Sequence, residues 1–208
     1  ALRYYAEAAQ AALLHLSPIE GLGLTRRALT LADQVPASAE RGALEITLAT
    51  LRGVAAFQTL GAGDEARGAY LRAATLLADA PLHPMAGLAL HGFGFLLDLR
   101  AEYSDALAVA KRAEALAADS NDLLLTLAAC TVKGQVLMVQ GDHIAAREAL
   151  ERALPVLERA SGTAEMSFIG YIVDPQVTVL ATLSLPLAQL GLFNQAQERL
   201  RQAYARAR

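Results

Sequence analysis

One pattern recurs along this chain and limits what it can fold into: a turn residue followed five positions later by alanine. Gly61 precedes Ala66, Ala101 precedes Ala106, Gly141 precedes Ala146 and Gly191 precedes Ala196. Four residues beyond these alanines stand Tyr70, Ala110, Leu150 and Leu200, and seven beyond stand Ala73, Ala113, Ala153 and Ala203. Positions i, i+4 and i+7 share one helix face. Ala66, Ala106 and Ala146 are spaced by 40 residues, whereas Ala196 follows after 50, so the last interval holds an insertion of about ten residues. Twelve positions before each alanine stand Val54, Gly94, Gly134 and Ser184, small or modest residues that let two antiparallel helices approach closely. A degenerate first copy fits around Ala9, Ser17-Pro18 and Ala28, with Gly21 in place of the packing alanine.

The expected fold class is all-α: about five antiparallel helix pairs stacked into an α-α superhelix, forming a single repeat domain over residues 1–208. A helix pair cannot bury its apolar stripe alone, so neighbouring pairs must stack. The composition agrees. It is 54% hydrophobic but 5% aromatic with no Trp, so Ala and Leu supply most of the apolar surface. Ser17-Pro18 and Asp174-Pro175 place a capping oxygen before a proline at the first helical position. Asp64, Ser104, Asp122 and Asn194 are further helix openings, and Pro155 and Pro186 fall inside helical patterns, where each removes a backbone hydrogen bond. After Ser104, Ala106, Val109, Ala110, Ala113, Leu116 and Ala117 make one apolar stripe.

These offsets of small residues resemble the tetratricopeptide repeat (TPR), over nearly the whole chain. Three features depart from that family's pattern: the period exceeds the family's usual length of about 34 residues, no Trp opens the first helix, and Lys133 stands where the family usually has Leu. A narrower resemblance is carried by Leu88–Ala118 (LALHGFGFLLDLRAEYSDALAVAKRAEALAA), by Gly134–Ala153, and by Val173-Asp174-Pro175-Gln176-Val177 through Gln189-Leu190-Gly191-Leu192-Phe193-Asn194-Gln195-Ala196. These stretches are similar to the TPR-like region that follows the ATPase in large bacterial signal-transduction ATPases of the STAND class. Such proteins often carry a winged-helix DNA-binding domain or a nucleotide-cyclase domain. The resemblance implies a regulatory arm for signal transduction or transcriptional regulation, a fragment of a larger protein, with the ATPase domain of its own full-length chain among its partners.

Catalytic and cofactor motifs are not found in the sequence. Gly63 and Gly68 have phosphate-loop spacing but are followed by Ala69-Tyr70, not Lys and a hydroxyl residue. Gly21-Leu-Gly23, Gly61-Ala-Gly63 and Gly92-Phe-Gly94 lack a third glycine and a preceding strand. His15, His83, His91 and His143 include no i, i+4 pair with metal-ligand company, so no metal and no cofactor is expected. No G-x-S-x-G elbow occurs, and Cys130, the sole cysteine, sits in an apolar run as a buried thiol suited to a reducing cytoplasm. The chain is read as a non-enzyme.

Partners follow from charge and geometry. A net charge of −3 and a pI near 5.8 argue against nucleic acid, and the Arg199, Arg201, Arg206 and Arg208 cluster reads as a solvated helix face. The uncharged stretch Val177–Phe193 contains Thr178, Thr182, Ser184, Pro186 and Gln189, so it reads as a buried helix and not a membrane span. In a repeat superhelix the first helix of each pair lines the concave face. Counting from the repeat alanines, the inward candidates for partner binding are Leu51, Gln58, His91, Phe95, Asp98, Thr131, Gln135, Met138, Thr178 and Gln189. Amides, one acid and apolar groups suit a protein or peptide partner. Two other readings stay open: small-molecule sensing in a closed apolar groove near His91, Phe95, Met138 and the insertion at 162–173, and homo-oligomer formation as a structural module.

The insertion at 162–173 is the second candidate contact, because Met166, Phe168, Ile169, Tyr171, Ile172 and Val173 are apolar or aromatic and need cover. They fold back over the groove, or they meet another chain or the ATPase. Packing within the chain predicts that replacing Phe168 and Tyr171 with Ser lowers the melting temperature; an unchanged melting temperature selects the external contact.

Overall fold

In a computed structural model of the protein, residues 1–120, 122–160 and 174–207 are described, and among them are ten helices and no strand. They group into two compact units, Ala1–Ala101 and Glu102–Arg208. The first unit holds α1 (Leu2–Leu14), α2 (Pro18–Ala32), α3 (Ala39–Leu60), α4 (Asp64–Leu76) and α5 (Ala86–Leu99). The second holds α6 (Tyr103–Ser120), α7 (Leu123–Val139), α8 (His143–Ala160), α9 (Pro175–Gln189) and α10 (Phe193–Arg206). Within each unit every helix packs on its neighbour in sequence, and the first helices of successive pairs also touch, α1 on α3, α3 on α5 and α7 on α9.

The repeat grammar becomes packing. The repeat alanines Ala66, Ala106, Ala146 and Ala196 are buried, as are Ala73, Ala113, Ala153 and Ala203 seven residues on. The small residue of the pattern marks where the two helices of a pair meet. A Cβ on Gly134 would lie 2.5 Å from Leu150 Cγ and 3.4 Å from the Ala146 carbonyl oxygen, so α7 and α8 are as close as a hydrogen side chain allows. In the first copy a Cβ on Gly21 would meet Leu13 Cγ at 3.3 Å and the Ala9 carbonyl oxygen at 3.6 Å, the same pairing with the small residue moved to the second helix. In the first unit the position four beyond Ala66 is filled by Tyr70 of α4. Its ring lies against the Cα atoms of Gly53 in α3 and Gly92 in α5, where an added Cβ would fall 2.7 and 2.5 Å away.

The turns repeat as well. Gly141 and Gly191 have φ of 84° and 75°, and Ala101 and Leu16, which hold the same place five residues before Ala106 and Gly21, both have φ of 58°. Three of these turns share a Schellman arrangement: the N–H groups of Ser17, Asp142 and Leu192 donate to the carbonyls of Ala12, Leu137 and Leu187 at 2.9–3.0 Å. Leu16 and Ala101 adopt a backbone that costs a side-chain-bearing residue roughly 1–2 kcal/mol. The repeat therefore imposes the conformation even where the sequence lacks glycine.

Helix starts agree with the local chemistry in part. Asp174 Oδ1 accepts from the N–H groups of Gln176 and Val177, and Asp122 Oδ1 from those of Leu124 and Leu125. Ser17 makes no such bond, and its helix starts on Pro18 alone. Ser38, which the repeat pattern does not single out, caps α3 by accepting from Arg41 N–H. α8 and α9 run through Pro155 and Pro186 as helix.

Two ion-pair clusters tie the helices of the first unit. Glu65 at the start of α4 accepts from Arg26 of α2 (Nε, 2.7 Å) and from Arg52 of α3 (2.9 Å), and these guanidinium groups, Arg26 foremost, hold its carboxyl down at about 2 against burial. Glu45 of α3 is 5% exposed. Burial opposes its ionisation, but hydrogen bonds from Arg41 (2.5 Å) and Arg72 (2.7 Å) outweigh that and keep its carboxyl below the ordinary value.

Two predictions follow from the packing and the charges. Gly134→Ala drives a methyl into Leu150 and should destabilise by about 1–3 kcal/mol, whereas Gly68→Ala, on exposed helix with nothing within 4 Å, should stabilise by about 0.5–1 kcal/mol; urea unfolding of the pair reads both signs. Because Glu65 has a folded value below its unfolded one, its contribution is complete above about pH 4.5 and is lost as pH falls toward about 2. Glu65→Gln should flatten the pH dependence of unfolding in that window; an unchanged slope would refute the assignment.

Candidate protein-interaction surface

The candidate residues fall at matching places in successive copies. Leu51, His91 and Thr131 stand fifteen residues before their repeat alanines, Phe95 and Gln135 eleven before, and Gln58, Asp98 and Met138 eight before. Positions fifteen, eleven and eight apart in this way lie along one helix face, so α3, α5 and α7 each present the same stripe.

The structure divides these residues by accessibility. Leu51 has no exposed surface and belongs to the core. Thr131 is 5% exposed, and its hydroxyl donates to the Leu127 carbonyl at 2.8 Å, which satisfies it on its own helix. The place eight before the alanine is the accessible one: Gln58, Asp98 and Met138 are all half-buried. On α9, Thr178 is half-buried with its hydroxyl donating to the Asp174 carbonyl, and Gln189 is exposed. The insertion candidates Met166, Phe168, Ile169, Tyr171 and Ile172 lie outside the described residues.

In the first unit α3 and α5 bring part of this set together. Phe57, next to Gln58, meets Phe95 edge to face with ring centroids 5.8 Å apart and planes at 69°. Phe95 and Asp98 are neighbours one turn apart on α5, as are His91 and Phe95. Asp98 Oδ1 is buried without a hydrogen-bond partner, and burial pushes the carboxyl above its ordinary value. Burial likewise pushes the His91 imidazole down to about 4, so the ring is neutral at physiological pH. The patch therefore combines two phenyl rings packed edge to face, a neutral imidazole, an amide and a carboxyl oxygen that lacks a donor.

The second unit carries a related feature on α7. Gln135 is 9% exposed and its Oε1 has no hydrogen-bond partner. Leaving a buried acceptor unsatisfied costs about 1–3 kcal/mol, which an incoming N–H or O–H donor would recover. Asp98 and Gln135 are thus acceptor sites of the same kind, each on the first helix of a pair.

Phe57 was not among the residues singled out by repeat counting, because it stands one position off the stripe. Adjacency to Gln58 and aromatic character in a chain poor in aromatics were the available signals. His143 is half-buried with an unpartnered Nδ1. His83 Nδ1 accepts from Met85 N–H at 3.1 Å and so organises the entry to α5. Burial holds the Cys130 thiol above its ordinary value, beside Arg152, which pairs with Glu114 at 3.0 Å. Among the described residues no three His, Cys, Asp or Glu side chains gather as a metal site, and no helix is long and apolar enough to cross a membrane.

No family model matches this chain, and no curated protein matches it. Among solved structures it is similar to the nearly identical TPR-like repeats of a putative kinesin light chain from Podosopora anserina, with a TM-score of 0.63 and 17% identity over 98% of this chain and 93% of that one. A variant form of the same repeats gives a TM-score of 0.64 and 18% identity over the same shares. At these identities the likeness concerns architecture, and the architecture is that of an all-helical, TPR-like repeat protein.

Proposed function

We propose that this chain is a protein-interaction and regulatory coupling module that receives an extended peptide or a helix on the α3 and α5 surface of its first unit. The observation that carries the reading is the unpartnered, buried Asp98 Oδ1 one turn from Phe95, itself edge to face with Phe57. An apolar pair supplies contact area and a lone acceptor selects a donor, which is the division of labour of a peptide site. Gln58 and His91 complete the patch in this reading. Gln135 and Met138 on α7, with Thr178 and Gln189 on α9, are candidate contacts of the second unit by itself.

TPR-like repeats generally serve as scaffolds for protein partners and are typically non-catalytic, which favours this reading over an enzyme. The finer proposal takes residues 1–208 as one continuous repeat domain acting as the sensor arm of a larger cytoplasmic bacterial signalling ATPase or transcriptional regulator. It rests on the resemblance of Leu88–Ala118 and the stretches around Gly134 and Asp174 to the helical region of such proteins. A second reading, a small-molecule sensor, is favoured by the neutral His91 beside an aromatic pair.

Selection of a random-peptide display library on the immobilised chain tests the proposal. Enriched peptides should lose binding about tenfold or more to Asp98→Ala and Phe95→Ala, in line with the loss of one buried hydrogen bond or one aromatic contact. Peptides that bind these variants as they bind the parent would place the site elsewhere. No enriched peptide, together with a thermal shift by a small-molecule collection that His91→Ala abolishes, would select the sensor reading.

A further inference from the structure

Two of the carboxylates that the first unit draws out of water are each held by a pair of arginines. Glu45 on α3 accepts from Arg41 and Arg72, and Glu65 at the start of α4 accepts from Arg26 and Arg52. A carboxylate taken from water needs such compensation. Asp98 on α5 is half-buried with Oδ1 shut from solvent, yet among the described residues nothing donates to that oxygen and no cation pairs with the side chain. Burial moves its carboxyl upward with no charged neighbour to offset it, whereas arginines hold Glu45 and Glu65 low.

Its place on the helix sharpens the misfit. No other Asp, Glu, Lys or Arg occurs in α5, and Asp98 sits in the last turn, where the helix dipole disfavours an anion and favours a cation. The arginine next in sequence is committed elsewhere: Arg100 Nη1 donates to the Ala62 carbonyl at 2.9 Å, and its Nη2 lies 3.3 Å from Asp64 Oδ1. Gln58, at the matching place in the last turn of α3, brings an uncharged amide. Beside these lie the half-buried rings of Phe57 and Phe95, whose faces suit the stem and the charge of a long basic side chain.

We propose that the segment received on α3 and α5 carries one basic side chain, Lys or Arg, whose charged end pairs with the Asp98 carboxylate and whose stem lies along Phe57 and Phe95. This rests on the peptide reading above and adds to it the chemistry of the ligand. A single basic residue is expected and not a basic run, because Gln58, Phe95 and the neutral His91 add no second negative charge to the patch. The incoming cation does for Asp98 what Arg41 and Arg72 do for Glu45. With one oxygen already withdrawn from water, the pair forms in a less polar setting than a surface ion pair, which strengthens it.

Parallel selection of a random-peptide library on the parent chain and on Asp98→Asn tests this, followed by anisotropy titration of the enriched peptides. Asn keeps the size and an acceptor oxygen and removes the charge; an unchanged melting temperature shows that the variant keeps its fold. Peptides from the parent should share one Lys or Arg beside apolar residues, and should bind Asp98→Asn about tenfold to a hundredfold more weakly. Exchanging that arginine for citrulline, or that lysine for norleucine, reads the same pair without touching the protein. It should weaken binding to the parent by a similar factor and to Asp98→Asn no further. Peptides that lose binding to Asp98→Ala and Phe95→Ala yet carry no basic residue, or that bind as well after the exchange, would overturn this inference and leave the peptide site standing. Peptides indifferent to both alanine variants, or no enriched peptide, would overturn it together with that site.

Discussion

The approach of two helices at a residue with little or no side chain is the constraint on which the rest of this structure depends. Where Gly134 faces Ala146 and Leu150, the backbones of α7 and α8 are near enough that one methyl group would overlap Leu150. That closeness places Leu150 within reach of Leu183 and Leu187 on the next first helix, so the intra-pair contact and the inter-pair contact share one side chain. Tyr70 does the same in the first unit, filling the space left by Gly53 and Gly92. Glycines on the first helices, at or within two residues of the repeated small position, thus set the close approach within a pair and the seat for the next pair.

The turns transmit the same constraint along the chain. A Schellman arrangement after α1, α7 and α9 returns each chain direction within a few residues, and the left-handed residue it needs is supplied by Gly141 and Gly191 but forced on Leu16. Ala101 is forced in the same way. That packing can hold an alanine and a leucine there shows that the register is fixed by the buried face and not by turn propensity. The ion pairs act in the same sense: Glu65 of α4 is neutralised by arginines of α2 and α3, and Glu45 of α3 by Arg41 of its own helix and Arg72 of α4, so each pairing is complete only when the neighbouring helices are in place.

The proposed interaction surface lies where the repeat is imperfectly satisfied. Thr131 and Thr50 are buried polar residues whose hydroxyls return to the backbone of their own helices. Asp98 and Gln135 have no such outlet for one oxygen each, and both lie on the first helix of a pair. The Phe57 and Phe95 rings beside Asp98 make the first unit's surface the more complete of the two.

The amino-acid sequence by itself determined the period, the helical class, the identity of the packing alanines and the location of the turns, because each depends on residues close in sequence and on the 3.6-residue helical repeat. Repeat counting also gives Gln58, Asp98 and Met138 the same register, eight residues before their repeat alanines. What only the tertiary structure decided was which residues of that stripe are accessible. Leu51 and Thr131 share a place with His91 yet are buried, since their exposure depends on what neighbouring helices lay over them, and Phe57 became part of the surface because Phe95 of another pair came to lie beside it. Register is local and written in spacing; exposure is a property of the packed neighbours, which no single stretch of sequence contains.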